Sequence, residues 1–557
     1  MNNKEQTQDN TLPLKHYDSV IIGAGFGGIR AAYEMQKKGL SSRLFEAGSD
    51  VGGTWYWNRY PGARTDTESW GYCFFFSQEL NEEWDWDERM PTWDQVQKYM
   101  VYAVDRLDLR KNMQFNTRVQ SAHYDEANNL WTVTTQQGES VTCQYLISAV
   151  GWFEEPCKPA FKGIDNFKGE WYVPSRWPKE PVDFAGKKVG IIGSGSTAVQ
   201  ILTSVAHTAE HVTMFQRTPN YVMPGRNYPV DKFEKQFKKK NFQAIIEQTR
   251  KQVYAFPMVD STIAYDDVDE AERQRILEAG WEAGGFRFIF ETFSDITVNE
   301  KANEAACEFF RNKIRSIVKD PATAELLCPD YYIALKRPPV SNFYYESFNR
   351  PNVSLVDVSK TAIDEILPNG VKVGDSEYDF DILVFAMGFD AVTGPLMNLD
   401  VRGRNGLTIK EKWQDGPHTH LGIVMDDFPN MFIITGPQTP FSNVPPVVES
   451  SVTWIGQLIS HMKQEGYDSV EGSPQAVAEW TTLMKTLVDQ TLMRDSASQR
   501  AWFMGANIPG KPHAVLFYFG GAGAYFDEVD KEADAGFPSL VFSKASAVSS
   551  KTISRSA

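Results

Sequence analysis

Two stretches of the chain repeat the same order of apolar, small and polar positions. In the first, the apolar run of residues 17–22 leads into glycines at 23, 25 and 28, and apolar residues recur at 29, 32 and 35, as on one face of a helix. A second apolar run covers residues 42–46, and residues 188–216 repeat the order with the runs 188–192 and 211–216. A strand that enters a helix through a glycine-rich turn is typical of nucleotide-binding units. We therefore predict an α/β protein with two Rossmann-like dinucleotide-binding domains.

The remaining pattern divides the chain among these domains. Apolar runs at 146–151 and 381–388 end in small residues, and we expect each to return the chain from one domain to the other. Residues 230–330 are charged and helix-forming. We predict that residues 1–155 and 389–542 form the first domain and residues 156–388 the second, with a helical insertion at about 225–332. The Ser-rich residues 543–557 are predicted to be a disordered tail.

Charge and cysteine content exclude several classes of protein. The 557 residues carry 56 Lys and Arg against 72 Asp and Glu, a formal net charge of −16, which argues against nucleic-acid binding. Five cysteines without a CxxC pair argue against a disulfide framework and against a zinc site, so no metal is predicted. The start of the chain is polar and no apolar run reaches the roughly 18 residues of a membrane helix. We expect a cytoplasmic protein.

The residue that ends the second strand of each unit distinguishes the two predicted sites. Glu46 follows the last glycine of the first turn and could accept hydrogen bonds from a ribose diol. The same offset in the second unit lands on Gln216, and Arg217 and Thr218 follow, so a cation replaces the acid, as a 2′-phosphate requires. The turn residues predicted to contact nucleotide are Gly23, Gly25 and Gly28 in the first unit and Gly193, Gly195, Ser196 and Thr197 in the second. The alternatives are ligand-free glycine turns and a surface arginine.

Residues 52–66, GGTWYWNRYPGARTD, join paired glycines to large aromatic side chains. Glycines let a backbone pass a pyrophosphate and aromatic rings can enclose a flavin, although the same residues could simply pack in a core. This stretch, followed in order by segments 332–338, 344–353, 388–394, 434–446 and 505–512, resembles the Baeyer–Villiger monooxygenases, which are class B flavoprotein monooxygenases. The resemblance runs from about residue 17 to about residue 542 and is close to the cyclohexanone-type branch around residues 440–443.

The resemblance implies an NADPH- and O2-dependent enzyme that inserts oxygen beside a ketone carbonyl through a C4a-peroxyflavin and gives an ester or lactone. It implies that Arg337 is catalytic, that Asp66 orients it, and that Lys336 reaches the 2′-phosphate with Arg217 and Thr218. The other residues implied to bind FAD or NADPH are Thr54, Trp55, Trp57, Arg64, Tyr72, Val119, Val444 and Trp502, with Asp66 also beside FAD. The implied partners are a small ketone and O2, with no nucleic acid or membrane, and the chain is expected to be a monomer or small homo-oligomer.

Three alternatives stay open at this point. The chain could oxidise a sulfide or an amine, or act mainly as an uncoupled NADPH oxidase. It could instead bind nucleotides without turnover, as a redox-sensing scaffold. The Arg337–Asp66 pair could be an ordinary ion pair.

One departure from the family pattern lies in the linker between the predicted domains. The family's signature is Phe-x-Gly-x-x-x-His-x-x-x-Trp, and this chain reads FKGEWYVPSRW over residues 167–177, with Val173 in the place of the histidine. Because valine makes no polar side-chain contact and Pro174 stiffens the segment, we expect weaker coupling of reduction to oxygenation. Two further motifs are interpreted as structural: His418 and His420 as a surface loop, and the basic, aromatic residues 232–241 as a solvated helix face.

Overall fold

The computed structural model describes residues 14–544, in which two sheets each carry one of the predicted glycine turns. The first sheet is mixed and has eight strands. Seven follow the order Asp400–Arg402, Val119–Asp125, Leu130–Thr135, Ser140–Ser148, Lys15–Ile22, Ser42–Phe45 and Met113–Gln114, and Met431–Ile433 also pairs with Ser140–Ser148. Its strands come from both ends of the chain. The second sheet has five strands, all paired in parallel, in the order Val353–Asp357, His211–Gln216, Lys188–Ile192, Ile382–Phe385 and Glu170–Tyr172.

The glycine turns lie where the sequence pattern predicts them. Lys188–Ile192 and His211–Gln216 have the predicted bounds, and the first strand starts two residues earlier than predicted, at Lys15. Strands cover only part of the apolar runs at 146–151 and 381–388: they end at Ser148 and Phe385, and Gly151 and Gly388, both with positive φ, lie three residues beyond these ends. The predicted α/β class with two dinucleotide-type sheets is confirmed. The borders at 155/156 and 388/389 lie between strands of the two sheets and, as domain limits, stay a prediction.

Helices cover the sheets and bury their apolar faces. The helices that pack on the first sheet are Phe26–Lys37, Thr54–Trp57, Gln78–Glu83, Trp93–Arg106, Gly394–Met397, Ile409–Lys412, Val444–Glu465, Pro474–Asp489 and Ala522–Asp534. The helices Ser196–Val205 and Tyr344–Ser347 pack on the second sheet. Helix Phe26–Lys37 buries Ile29, Ala32 and Met35, the three positions whose spacing predicted it. The smaller sheets pair Met223–Pro224 with Val340–Ser341, Ile363–Leu367 with Gly370–Val373 and Ser376–Asp379, and Ser469–Gly472 with Leu540–Ser543.

The predicted helical insertion is present and packs against the cores of both sheets. Its helices are Lys232–Lys240, Phe242–Lys251, Glu270–Ala283, Arg287–Phe290, Glu300–Ile317 and Pro321–Leu327. Phe242 packs in the core of the first sheet, edge-to-face on Phe75, whereas Phe288 and Phe310 pack in the core of the second. On the first of these helices Phe233 and Phe237 are exposed, as the solvated-face interpretation expects.

Two further sequence expectations concern the cysteines and membrane spans, and a third concerns the end of the chain. The five cysteines are all free thiols. No helix within residues 14–544 is both long enough and apolar enough to span a bilayer. The predicted start of the disordered tail at residue 543 is wrong by one residue, because Ser543 ends the strand Leu540–Ser543; residues 545–557 lie outside the described part of the chain.

Candidate active site

One cavity of about 1520 Å³ lies between the two sheets and reaches both glycine turns. It is large enough for more than one ligand of drug-like or cofactor size. Of the residues predicted to bind nucleotide or to act in catalysis, twenty line it: Gly23, Gly25, Glu46, Thr54, Trp55, Trp57, Arg64, Asp66, Tyr72, Val119, Gly193, Gly195, Ser196, Thr197, Arg217, Thr218, Lys336, Arg337, Val444 and Trp502. Gly28 does not line it, because this glycine lies where helix Phe26–Lys37 crosses the first strand. A Cβ there would stand 1.8 Å from the carbonyl oxygen of Gly23.

The first turn forms a cradle that only glycine can build. Gly23 has φ +99°, and a Cβ on it would lie 2.6 Å from the carbonyl oxygen of Ala149. Gly53, one of the paired glycines of residues 52–66, has φ +52°, and a Cβ on it would lie 2.7 Å from the Cα of Gly25. Two backbone segments without side chains therefore lie in contact with each other at the cavity wall. Their backbone can approach a bound pyrophosphate closely, which is what FAD would require here.

Glu46 closes this cradle at the end of the second strand. Its carboxylate accepts hydrogen bonds from the backbone N–H groups of Ala24, at 2.7 Å, and Gly48, at 2.6 Å. Burial raises the pKa of Glu46, and these two donors work against that rise. Each carboxylate oxygen keeps a lone pair that a ribose hydroxyl could use.

Aromatic side chains form a wall beside this cradle. The indole N–H of Trp55 donates to the hydroxyl of Tyr72 at 3.2 Å, and the two rings meet edge-to-face. Burial raises the pKa of Tyr72 to about 12, so its hydroxyl keeps its proton. Asn443, just before helix Val444–Glu465, donates to the carbonyl of Gly71 and leaves its own buried Oδ1 without a partner among the described residues. A polar acceptor with no protein partner fits a cavity that holds a polar ligand.

The second turn builds a similar but more open cradle. Gly193 has φ +124°, and a Cβ on it would lie 2.3 Å from the carbonyl oxygen of Ala386. Gly195 has open space around it, and Ser196 begins helix Ser196–Val205, whose first N–H groups are free to meet an anion. The hydroxyl of Ser194 donates to the carbonyl of Thr218 at 2.6 Å and ties this turn to the end of the neighbouring strand.

Two of the predicted cations beside this cradle have no acidic partner. Within residues 14–544 neither Arg217 nor Lys336 forms an ion pair with a carboxylate. Burial, together with the charges of Arg217 and Arg500, lowers the pKa of Lys336 to about 8. Burial and Arg500 also lower the pKa of Arg217. Cations that repel one another and lack a counter-charge favour a bound anion, and the 2′-phosphate of NADPH is such an anion.

Arg337 lies where the two cradles meet. One guanidinium nitrogen donates to Oδ2 of Asp66 at 2.5 Å, and another donates to the hydroxyl of Ser196 at 2.9 Å. Asp66 lies beside the first cradle and Ser196 belongs to the second, so the arginine connects the two cradles. Burial raises the pKa of Asp66, and Arg337 works against that rise. The other oxygen of Asp66 is buried and has no partner among the described residues.

The part of the cavity beside Arg337 is apolar. The guanidinium lies 5.7 Å from the ring centroid of Phe286. Phe441 packs against Trp502, with ring centroids 5.7 Å apart, and Tyr254 meets Phe441 edge-to-face. This chamber combines the Arg337 cation with large aromatic walls, which suits a ligand with a carbonyl group and a hydrocarbon body.

Sequence reasoning missed two contacts at this junction. The hydroxyl of Tyr60 donates to the side chain of Gln200 at 3.0 Å, and Gln200 donates to the carbonyl of Arg64 at 3.2 Å. The Arg64 side chain lies on the cavity wall but pairs with Glu88 at 2.8 Å. Tyr60 and Gln200 are 140 residues apart, and their local sequence carries no signal of this contact.

The interpretation of His418 and His420 as a surface loop is wrong for His420. Its ring is 7% exposed, packs edge-to-face on Trp480 of helix Pro474–Asp489, and burial lowers its pKa to about 4. The polar sequence indicated a solvated loop, but a helix that follows later in the chain covers it. No cluster of three or more His, Cys, Asp or Glu side chains in the described residues could hold a metal.

Comparison with known proteins identifies the family of this chain. Residues 20–261 match the pyridine nucleotide-disulphide oxidoreductase model. A Baeyer–Villiger monooxygenase from Pseudooceanicola batsensis is 43% identical over 539 residues, which cover 96% of this chain and 98% of that protein. The chain belongs to the Baeyer–Villiger monooxygenases. The resemblance found in its sequence is thereby confirmed.

Solved structures show which cofactors such monooxygenases hold. Cyclohexanone monooxygenase from Rhodococcus sp. Phi1 bound to NADP+ has a TM-score of 0.93 and 40% identity, covering 96% of this chain and all of that one. OTEMO in complex with FAD and NADP has a TM-score of 0.91 and 37% identity, covering 95% and 99%. A phenazine N-monooxygenase from Lysobacter antibioticus is 41% identical over 94% of this chain and 97% of its own length. This Baeyer–Villiger monooxygenase is therefore an FAD- and NADP-dependent enzyme, as its sequence predicts.

Proposed function

We propose that this enzyme holds FAD in the cradle of Gly23, Gly25, Gly53 and Glu46, holds NADPH in the cradle that starts at Gly193, and converts an apolar ketone into an ester or lactone. The observation that carries the proposal is the position of Arg337, which bonds to Asp66 and to Ser196 and faces the apolar chamber. Bound FAD, reduced by NADPH, supplies the electrons and the activation of O2.

Arg337 would stabilise negative charge at the reacting centre. A guanidinium stays protonated throughout the working pH range, and it can donate to an oxygen anion while it remains bonded to Asp66. Asp66 is a positioning residue: its contact fixes one edge of the guanidinium and leaves the remaining N–H groups for the substrate. Ser196 would fix the other edge and relate it to the NADPH cradle.

The chamber would orient the substrate and exclude water. Its aromatic walls, formed by Tyr254, Phe286, Phe441 and Trp502, would bury the hydrocarbon part of a ketone and leave its carbonyl toward Arg337. Arg217, Thr218 and Lys336 would hold the 2′-phosphate, while Thr54, Trp55, Trp57, Tyr72, Val119 and Val444 would enclose FAD. Arg64 would contribute its backbone rather than its cation, since the cation is paired with Glu88.

Product analysis tests this proposal. The FAD-loaded enzyme is given NADPH, 18O2 and a panel of cyclic and linear ketones, and products are analysed by mass spectrometry. We expect an ester or lactone that carries one labelled oxygen. Ketone that is recovered unchanged across the panel while NADPH is consumed would contradict the proposal.

The phenazine N-monooxygenase relative supports heteroatom oxidation as a second candidate. Attack on an aromatic nitrogen or a sulfide would use the same apolar chamber but would not need a cation to stabilise a carbonyl adduct. The same assay with a sulfide and an aromatic N-heterocycle separates the two. Labelled sulfoxide or N-oxide without ester would favour this candidate.

A further inference from the structure

A third cation, from a different part of the chain, lines the cavity that contains the predicted 2′-phosphate position. Arg500 lines the cavity together with Arg217 and Lys336, and its charge acts on both of them. Arg217 follows a strand of the second sheet and Lys336 follows the helical insertion, whereas Arg500 belongs to the loop between the turn Leu492–Ala497 and the turn Trp502–Met504. Three elements that are distant in sequence therefore direct positive charge to one place.

The described residues do not neutralise this group. No carboxylate within residues 14–544 forms an ion pair with Arg217, Lys336 or Arg500, although Arg494, in the preceding turn Leu492–Ala497, is paired with Glu300 at 3.2 Å. Without an anion the three like charges repel one another. A phosphate monoester, with its nearly two negative charges, is a ligand that would reverse this repulsion.

The backbone conformation at Arg500 does not itself favour an arginine. Arg500 has φ +55°, the left-handed region that favours glycine or asparagine. Its N–H donates to the carbonyl of Ala497 at 2.9 Å, and the N–H of Ala501 donates to that of Ser496 at 3.1 Å, so the conformation belongs to the end of a short helical turn. Its side chain makes no hydrogen bond or ion pair with other described residues. The side chain is thus left for a ligand.

We propose that Arg500 is a third ligand of the NADPH 2′-phosphate. This inference rests on the proposed NADPH cradle, in which Arg217 and Lys336 hold the same phosphate, and it adds a cation from a separate part of the chain. Arg500 lies two residues before Trp502, whose ring packs on Phe153 and Phe441 with centroids 5.3 and 5.7 Å apart, so this segment is anchored at the cavity wall.

Nucleotide binding to the FAD-loaded enzyme tests the proposal. The affinities for NADP+ and NAD+ are measured by calorimetry for the parent enzyme and for Arg500→Ala, Arg500→Glu and Arg500→Lys. We expect Arg500→Ala to weaken NADP+ binding about tenfold, the loss of one charge-assisted contact. Arg500→Glu should weaken it further, Arg500→Lys should keep most of the affinity, and NAD+ binding should stay unchanged in all three.

Two matched variants make the outcome specific. Arg494→Ala removes an arginine of the preceding turn that is already paired with Glu300, and it should leave both affinities unchanged. Arg217→Ala tests the cradle itself. If Arg217→Ala weakens NADP+ binding and Arg500→Ala does not, the inference about Arg500 is wrong while the cradle stands. If neither does, the predicted 2′-phosphate site is wrong. Equal losses for NADP+ and NAD+ in Arg500→Ala would also overturn the inference, because they would place Arg500 at a group that both nucleotides share.

Discussion

Replacing Arg337 by alanine separates stability from catalysis. The change removes the contacts to Asp66 and Ser196 and leaves a carboxylate that is 7% exposed without its cation. Removing one member of a fully buried pair costs about 3–5 kcal/mol. The Arg337 side chain is 31% exposed, so water screens part of the interaction, and we expect the free energy of unfolding to fall by about 1–3 kcal/mol.

Catalysis should suffer much more than stability. Loss of one preorganised electrostatic donor typically lowers kcat about 10²–10³-fold. Asp66→Asn in the Arg337→Ala background removes the unpaired carboxylate, so it should restore most of the lost stability and none of the ester formation. This double variant distinguishes a catalytic Arg337 from a merely structural ion pair.

Three measurements on these variants complete the test. Urea unfolding gives the stability, anaerobic bleaching of the flavin by NADPH gives the reduction rate, and gas chromatography gives the ester. We expect reduction to persist in Arg337→Ala while ester formation is lost. Ester formation near the parent rate in a well-folded Arg337→Ala enzyme would refute the role given to this residue.

Four further changes test the cradles and the linker. Gly53→Ala places a Cβ 2.7 Å from the facing glycine turn at φ +52° and should abolish FAD binding, measured as bound flavin, whereas Gly39→Ala has a similar φ of +67° but open space and should keep FAD. Because the pKa of Lys336 is about 8, its charge is present below this pH, and the affinity for NADP+ should fall as the pH rises above it. Lys336→Arg should remove this pH dependence, and the affinity for NAD+ should not change with pH in either enzyme. Arg217→Ala should raise the KM for NADPH far more than that for NADH, and equal increases would refute the 2′-phosphate assignment. Val173→His should raise the ester formed per NADPH consumed if the linker departure weakens coupling, and an unchanged ratio would show that the chain compensates for it.

Local sequence predicted the parts of this structure that depend on local physics. The strands Lys188–Ile192 and His211–Gln216 were predictable to the residue, because buried parallel strands are rich in apolar residues and the first of these two ends at the glycine turn of Gly193. The positions of Gly23 and Gly193 follow from the same pattern, since no other residue fits their positive φ and close backbone contacts.

Contacts between distant segments could not be predicted from local pattern. The Arg337–Asp66 pair came only from the family resemblance, and nothing in the sequence showed that Ser196 completes it across 141 residues. Arg500 lies in a polar stretch that is typical of a surface loop, and only the fold brings it beside Arg217. The prediction for His420 was wrong for the same reason: residues that bury its ring, such as Trp480, come later in the chain.

We expect electrons to pass from a nucleotide in the second cradle to a flavin in the first. The most direct measurement is an anaerobic titration of the FAD-loaded enzyme with NADPH and, separately, with NADH, followed by the visible flavin absorbance. We expect NADPH to bleach the flavin band completely and much faster than NADH does. A chain that stays colourless after incubation with FAD, or a flavin band that NADPH leaves unchanged, would show that electrons do not pass between the two cradles.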